Sequence, residues 1–322
     1  RRGILYGDWS RDNANNTNAN VSTGTITVDQ NPPATPTISM TDPNTGSTTQ
    51  TNQFLVDLSI TADTDAVRWC PIIQAAAAAA PSTPASNDSC WRSTRPVTQL
   101  IDATGSRTVY VFTSDLAGNI GSAGSASINY SITPPNDPTV TLTHATTGLS
   151  DYARTQSLNV SITNDTGATK WCISETQTTK PSLGTASCTG GAGGSNGWYT
   201  ARPTAFALSA GEALKRVYVW TADVANNVNG NASSATITLD TTPPAAASVT
   251  MTDPNTNSST NTNQSTVNLN IGATADGLAW CVIEQAGASA APSAPLYNNA
   301  CFNTTKPTTQ VLGATGSRAV YV

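Results

Sequence analysis

The dipeptide Trp-Cys occurs three times in this 322-residue chain, in "AVRWCPI" (66–72), "ATKWCIS" (168–174) and "GLAWCVI" (277–283). Adjacent residues of a β-strand point to opposite faces. One member of each pair should therefore face a core and the other should face away from it. The same features surround every copy in the same order. Pro-Pro pairs begin at Pro32, Pro134 and Pro243, which are 102 and 109 residues apart. A strand-like stretch follows each, then "FLVDLSI", "SLNVSI" or "TVNLNI", then Trp-Cys and a second cysteine. "WRSTRP", "WYTARP" and "FNTTKP" come next, and the first two copies close on "VYVFTSDLAGN" and "VYVWTADVANN". A long-period internal repeat of this kind means an array of similar modules.

Residues 32–133 and 134–242 read as whole repeats, and 243–322 as a third that stops before its last strand. Residues 1–31 read as the last two strands of an upstream repeat, because "WSRDNANN" (9–16) aligns without a gap on "WTADVANN" (220–227). Two arrangements would satisfy such ends. The chain is a stretch of a longer polypeptide, or residues 9–29 complete the partial sandwich of another copy by donating strands. Either would join successive chains end to end in a filament.

Composition narrows the class. Charged residues are only 11 % of the chain, against roughly 25 % in ordinary soluble domains. The net charge is −5 and no basic cluster exists, which argues against nucleic acid. No apolar run reaches the roughly 18 residues of a membrane span. Residues 1–20 have no apolar core beside a cleavage site, so they do not read as a signal peptide. The six cysteines fall as Cys70/Cys90, Cys172/Cys188 and Cys281/Cys301. One pair per repeat reads as disulfides formed in an oxidising compartment, extracellular or at the cell surface. Zinc is the rival, but one pair per repeat lacks two ligands, and His144 is the sole histidine.

Val56, Leu58 and Ile60 alternate with Asp57 and Ser59, and the pattern recurs at Leu158/Val160/Ile162 and Val267/Leu269/Ile271. Period two with one apolar face means half-buried strands. The best helix candidate is Ala75–Ala80, since alanine is the strongest helix former. About seven short strands in roughly 100 residues is the signature of an immunoglobulin-like β-sandwich. The expected fold class is all-β, with tandem sandwiches.

"VYVFTSDLAGN" followed by "ASINYSITPP", and "VYVWTADVANN" followed by "ATITLDTTPP", resemble bacterial tandem Ig-like repeats. Those often end in a Tyr-x-Val-x-Ala-x-Asp-x-Ala-Gly-Asn strand and turn and an Asp-Thr-Thr-Pro-Pro linker. The match covers almost the whole chain and identifies a module, not a ligand. The Trp-Cys pair and the loop after it depart from the commonest pattern. The resemblance implies stalk modules of large surface adhesins: a structural stalk, fibre or filament. An adhesin binding a glycan or receptor through its loops is the first alternative, and a non-catalytic stretch of a large secreted enzyme the second. In immunoglobulin sandwiches strand C carries a buried Trp, a role that falls to Trp69, Trp171 and Trp280. Strand F presents Tyr-x-Cys with the Cys inward, and its counterparts are Tyr110-x-Phe112 and Tyr218-x-Trp220. An aromatic is then expected inside in place of the inter-sheet disulfide. Cys70, Cys172 and Cys281 would face outward, each clipping the loop after strand C onto the outer face.

No catalytic signature accompanies these strands. His144 sits where the other copies have Asp42 and Asp253, as a turn substitution. No G-x-S-x-G or S-x-x-K motif, P-loop or dinucleotide fingerprint occurs. Glu175, Glu212 and Glu284 read as scattered. The expectation is a non-enzyme without cofactors. Calcium at the interdomain linkers is the alternative for Asp115, Asp223, Asp29 and Asp240, with Ser131 breaking the pattern and ordinary turns as the simpler reading. Sequons at Asn159, Asn231 and Asn303 fit the chance level in so Asn- and Thr-rich a chain. Trp91, Trp198 and Phe302, which follow the second cysteine, read as satellite core or as exposed anchors.

Overall fold

The computed structural model describes residues 2–18, 20, 22–61, 64–182, 187–193 and 197–322, and the side chains of all of these except residues 2–6, 8 and 22. Its two units are Arg1–Asp240 and Thr241–Val322. The described residues contain strands and no helix.

The first unit begins with an antiparallel hairpin of β1 (Arg2–Asp8) and β2 (Ser22–Val28). Seven strands follow: β3 (Thr37–Thr41), β4 (Gln50–Thr51), β5 (Leu55–Thr61), β6 (Arg68–Ala75), β7 (Thr98–Leu100), β8 (Gly105–Ser114) and β9 (Gly124–Tyr130). They form the sheets β3-β5-β7 and β4-β9-β8-β6, with β4 parallel to β9. The next seven repeat this plan: β10 (Thr139–His144), β11 (Tyr152–Ala153), β12 (Ser157–Thr163), β13 (Lys170–Ser174), β14 (Ala205–Ala207), β15 (Ala213–Ala222) and β16 (Ser233–Leu239). Their sheets are β10-β12-β14 and β11-β16-β15-β13. This is the A-B-E against A′-G-F-C order of an Ig-like sandwich. The second unit has β17 (Val249–Thr252), β18 (Thr266–Ile271), β19 (Trp280–Cys281), β20 (Ile283–Ala286), β21 (Phe302–Asn303), β22 (Thr309–Val311) and β23 (Arg318–Tyr321). They pair as β17-β18-β22, β19-β21 and β20-β23.

The period-two strands place their apolar residues as alternation requires. Val56, Leu58 and Ile60 of β5 are buried, and so are Leu158, Val160 and Ile162 of β12 and Val267, Leu269 and Ile271 of β18. Each such side chain contributes about 1.5–3 kcal/mol when taken out of water. Trp171 belongs to the core of its repeat, and Trp69 and Trp280 are partly buried against theirs.

Two expectations are corrected. Ala75–Ala80 forms no helix. Gln74 and Ala75 pair with Thr108 and Arg107, so β6 runs into the alanines, and a turn closed by the Ala78 N–H on the Ala75 carbonyl follows. Six alanines are too few to nucleate a helix against an available strand partner. Strand F also presents the other face. Trp69 lies opposite Thr113 and Trp171 opposite Thr221, whereas Cys70 lies opposite Phe112 and Cys172 opposite Trp220. Directly opposed residues share a face. The core is therefore lined by Val109 and Val111, and by Val217 and Val219. Tyr110, Phe112, Tyr218 and Trp220 lie on the opposite face, so no aromatic of strand F stands in for an inter-sheet disulfide.

Trp171 is tied to more than apolar neighbours. Its indole N–H donates to Asp165 Oδ2 at 2.6 Å. Arg202 holds the same carboxylate through Nε and Nη2 at 2.8 and 2.7 Å. The guanidinium carbon sits 5.8 Å from the indole ring centroid. Trp171→Ala is expected to cost about 3–5 kcal/mol, the range for a large core aromatic. Chemical denaturation checks this, and a loss below about 1 kcal/mol would place the ring outside the core.

Candidate functional site

Two features set these repeats apart from a bare sandwich: a loop clipped to strand C, and a linker held by the F–G turn. The clip consists of the disulfides Cys70–Cys90, Cys172–Cys188 and Cys281–Cys301, with Cα separations of 4.9, 5.5 and 4.9 Å. Closing loops of this length contributes about 3 kcal/mol in the chain-entropy model. Cys70, Cys172 and Cys281 face away from the main core, yet they are buried, because the loop they tether covers them. After the second cysteine the chain adds to the free edge of strand C. Trp69 bridges Arg92, Trp171 bridges Tyr199, and β19 pairs with β21. An otherwise bare edge is thereby closed.

In the second repeat the covered face is a second small core, in which Cys172, Cys188, Trp198, Trp220 and Val228 pack together. The Trp220 indole N–H donates to the Gln177 carbonyl at 2.9 Å. The three aromatics after the second cysteine differ in their surroundings. Trp198 is buried there, Trp91 is half-buried with Arg68 over its ring at 5.1 Å, and Phe302 is exposed. Nothing in the sequence separates the three, because burial by a loop leaves no periodic signal.

The linker is held at the other end of strand F. Asp115 starts a turn in which its carboxylate accepts from the Asn119 backbone N–H and from Nδ2, both at 2.8 Å. Burial raises the Asp115 pKa, but the Asn119 side chain and the backbone donors outweigh it and hold the carboxyl below its ordinary range. Asn119 Nδ2 also donates to the Asp29 carbonyl at 3.0 Å, just before the first Pro-Pro pair. Asp223 and Asn227 repeat the turn, and Asn227 Nδ2 reaches the Ser131 carbonyl at 2.8 Å. Asp12 and Asn16 form the same turn after β1. Beyond these anchors the linker presses onto strand G. A Cβ at Gly121 would lie 2.4 Å from the Pro33 carbonyl oxygen, and one at Gly124 would lie 1.9 Å from that of Pro36. In the second repeat Asp137 takes over, accepting from the Asn231 backbone N–H at 2.8 Å and from Asn229 Nδ2 at 3.0 Å. Pro33 and Pro135 are buried, whereas Pro243 and Pro244 are exposed.

The acidic residues considered for calcium are distributed unevenly. Asp29, Asp65 and Asp115 place carboxylate oxygens within 4.8 Å of one another. These are the residues that could hold a cation in the first repeat. Ser131 and Gly167 replace Asp29 and Asp65 in the second repeat, so Asp223 has no such companions there. Asp240 lies at the corresponding place before Pro243. Glu175 and Glu284 are not scattered after all. Each stands four residues after its Trp, Glu284 is paired with Arg318, and Glu175 accepts the Ser209 N–H at 2.8 Å.

No protein-family model matches the sequence, and no curated protein matches it. Solved structures align with it at low identity. Fibronectin(III)-like modules of Clostridium thermocellum CbhA align at 12 % identity over 63 % of this chain and 94 % of theirs, with a TM-score of 0.35. The FN1–FN3 domains of chicken CNTN1 align at 10 % identity over 90 % of this chain and 89 % of theirs, with a TM-score of 0.24. A tetra-tandem repeat from the extending region of a large adhesion protein aligns at 19 % identity over 83 % of this chain and 63 % of that one, again at 0.24. The fold assignment rests on the strand order described above.

His144 shows how one turn tolerates different chemistry. Asp42 Oδ1 accepts from the Asn44 and Thr45 N–H groups at 2.9 and 2.8 Å. At the equivalent place His144 Nδ1 accepts from the Thr147 N–H at 3.1 Å, and Nε2 lies 3.0 Å from Thr155 Oγ1. The accepting Nδ1 requires the neutral ring with its proton on Nε2. Burial lowers the His144 pKa from its ordinary 6.5, and the Arg154 charge lowers it further. The unfolded chain therefore binds a proton before the folded one does. Stability is fully present above the unfolded value and is lost as pH falls below it toward the depressed folded value. The second repeat is expected to melt at lower temperature at pH 5 than at pH 7.5, and His144→Asp to flatten that difference (conditions chosen to bracket an ordinary histidine pKa of about 6.5). Calorimetry across this range checks both.

Proposed function

We propose that this chain is a run of extracellular, tandem Ig-like spacer modules that set distance in a cell-surface stalk, fibre or filament, and that it is not a catalyst. The observation that carries this reading is the recurring hold of each F–G turn on its own linker, Asn119 on Asp29 and Asn227 on Ser131. A linker fixed to the module it enters has little freedom to pivot there. Prolines at Pro32, Pro33, Pro134 and Pro135 further restrict it. Three disulfides fit an oxidising compartment. No helix among the described residues is long and apolar enough to cross a membrane.

Within this reading, copies associate end to end. Ile26 and Val28 of β2 are 64 % and 40 % exposed, whereas Ile128 and Ile237, the counterparts of Ile26, are each 1 % exposed, and of the counterparts of Val28, Leu239 is 1 % exposed and Tyr130 is half-buried.

A second reading, an adhesive module, is favoured by the apolar side chains around β7. Leu55, Val97 and Leu100 are 44 %, 70 % and 55 % exposed. Glycan or receptor binding by an isolated repeat would support it.

Small-angle scattering of the whole chain and of an Asn119→Ala/Asn227→Ala variant tests the spacer reading. The variant is expected to give a broader distance distribution at unchanged fold content by circular dichroism. Equal distributions would overturn the linker hold. Sedimentation over a concentration series tests association: growing chains support it, and a monomer at all concentrations overturns it.

A further inference from the structure

We propose that the cleft between β13 and β14 of the second repeat binds a cationic side chain, a lysine or an arginine, presented by a protein partner. Glu175 directly follows β13 and reaches across to Ser209, two residues beyond β14. The Ser209 N–H donates to Glu175 Oε2 at 2.8 Å, which fixes the carboxylate. The other oxygen, Oε1, is buried and has no hydrogen-bond partner among the described residues. A buried acceptor without a donor is costly, and more so when it is charged.

The neighbouring repeats show what this position takes. In the first repeat the corresponding residue is Ile73, packed against the core. In the third it is Glu284, which is paired with Arg318 of β23. The counterpart of Arg318 in the second repeat is Lys215 of β15. Lys215 is turned elsewhere, donating to Ser209 Oγ at 3.0 Å and to the Ala210 carbonyl at 3.1 Å. Glu175 therefore keeps the acid of an intramolecular pair without its cation.

The walls suit the rest of a long basic side chain. Leu158, Tyr199 and Phe206 line the cleft together with Gly190 and Thr176. Methylene groups of lysine or arginine pack on apolar and aromatic surface while the head group reaches the carboxylate. A saccharide is the less favoured occupant. Its hydroxyls need donors as well as acceptors, and among the described residues that line the cleft the buried side-chain polar atom without a partner, Glu175 Oε1, is an acceptor only. This contact adds to the spacer role and does not depend on it.

The test is an amide NMR titration of the full chain with Nα-acetyl-lysine N-methylamide and its arginine analogue, at low and at raised salt. Shifts confined to Ser209, Gly190 and their neighbours, weakened by salt and by roughly tenfold or more in Glu175→Gln, are expected if a charge pair is lost. The carboxyl carbon of Glu175 in the unsubstituted chain should shift as well, a readout that does not require the variant to fold. Three results would overturn the proposal: no shift at these residues, equal binding by a folded Glu175→Gln, or shifts there with a neutral disaccharide and none with either cation.

Discussion

Each repeat depends on strand C being covered on both faces. Trp69, Trp171 and Trp280 turn to the sandwich core, and the cysteine beside each turns to a loop that the chain folds back over it. A strand at a sheet edge ordinarily shows water a row of open backbone groups and one face. Here the disulfide fastens the loop, the residues after the second cysteine bridge the edge, and in the second repeat Trp198 and Trp220 make the cover apolar. The long, poorly patterned segment between the cysteines is thus part of the architecture and not an idle insertion.

The same economy operates at the linker. One Asp-x-x-x-Asn turn closes the F–G hairpin and sends an amide N–H to the backbone before the prolines. The turn that ends one strand pair therefore also aims the entering chain. The first repeat seats its linker against glycines that leave no room for a Cβ, and the second uses the Asp137 carboxylate on two asparagines. Steric fit and hydrogen bonding reach the same placement by different means.

The repeats are alike in plan and differ in single polar positions. His144 takes the place of an aspartate and keeps the turn by accepting the same kind of backbone donor on a ring nitrogen. At the position four residues after each Trp, the three repeats hold an apolar contact, a half-satisfied carboxylate and an ion pair. A scaffold held by its alternating apolar faces tolerates such exchanges at its margins, where individual repeats can acquire contacts of their own.

Much of this was legible in the residues. Three Trp-Cys pairs, three Pro-Pro pairs and the alternation at Val56, Leu58 and Ile60 determine the repeat, the strand class and the side on which each Trp lies, because these follow from spacing along one strand. The fold-back that brings Cys70 to Cys90 was readable for the same local reason. What lies across from a residue was not. Phe112 and Trp220 share a face with the cysteines, and not with the core, because of the register between strands some forty residues apart. Register is a pairwise property that neither strand carries alone. The Ala75–Ala80 run likewise held a helical preference, but its first residue is paired with Arg107 of β8 and a turn takes up the next ones. The unmatched oxygen of Glu175 depends on where Lys215, a residue on another strand, happens to point. Local alternation belongs to the sequence; the identity of each neighbour across a sheet or beneath a loop is decided only when the chain has packed.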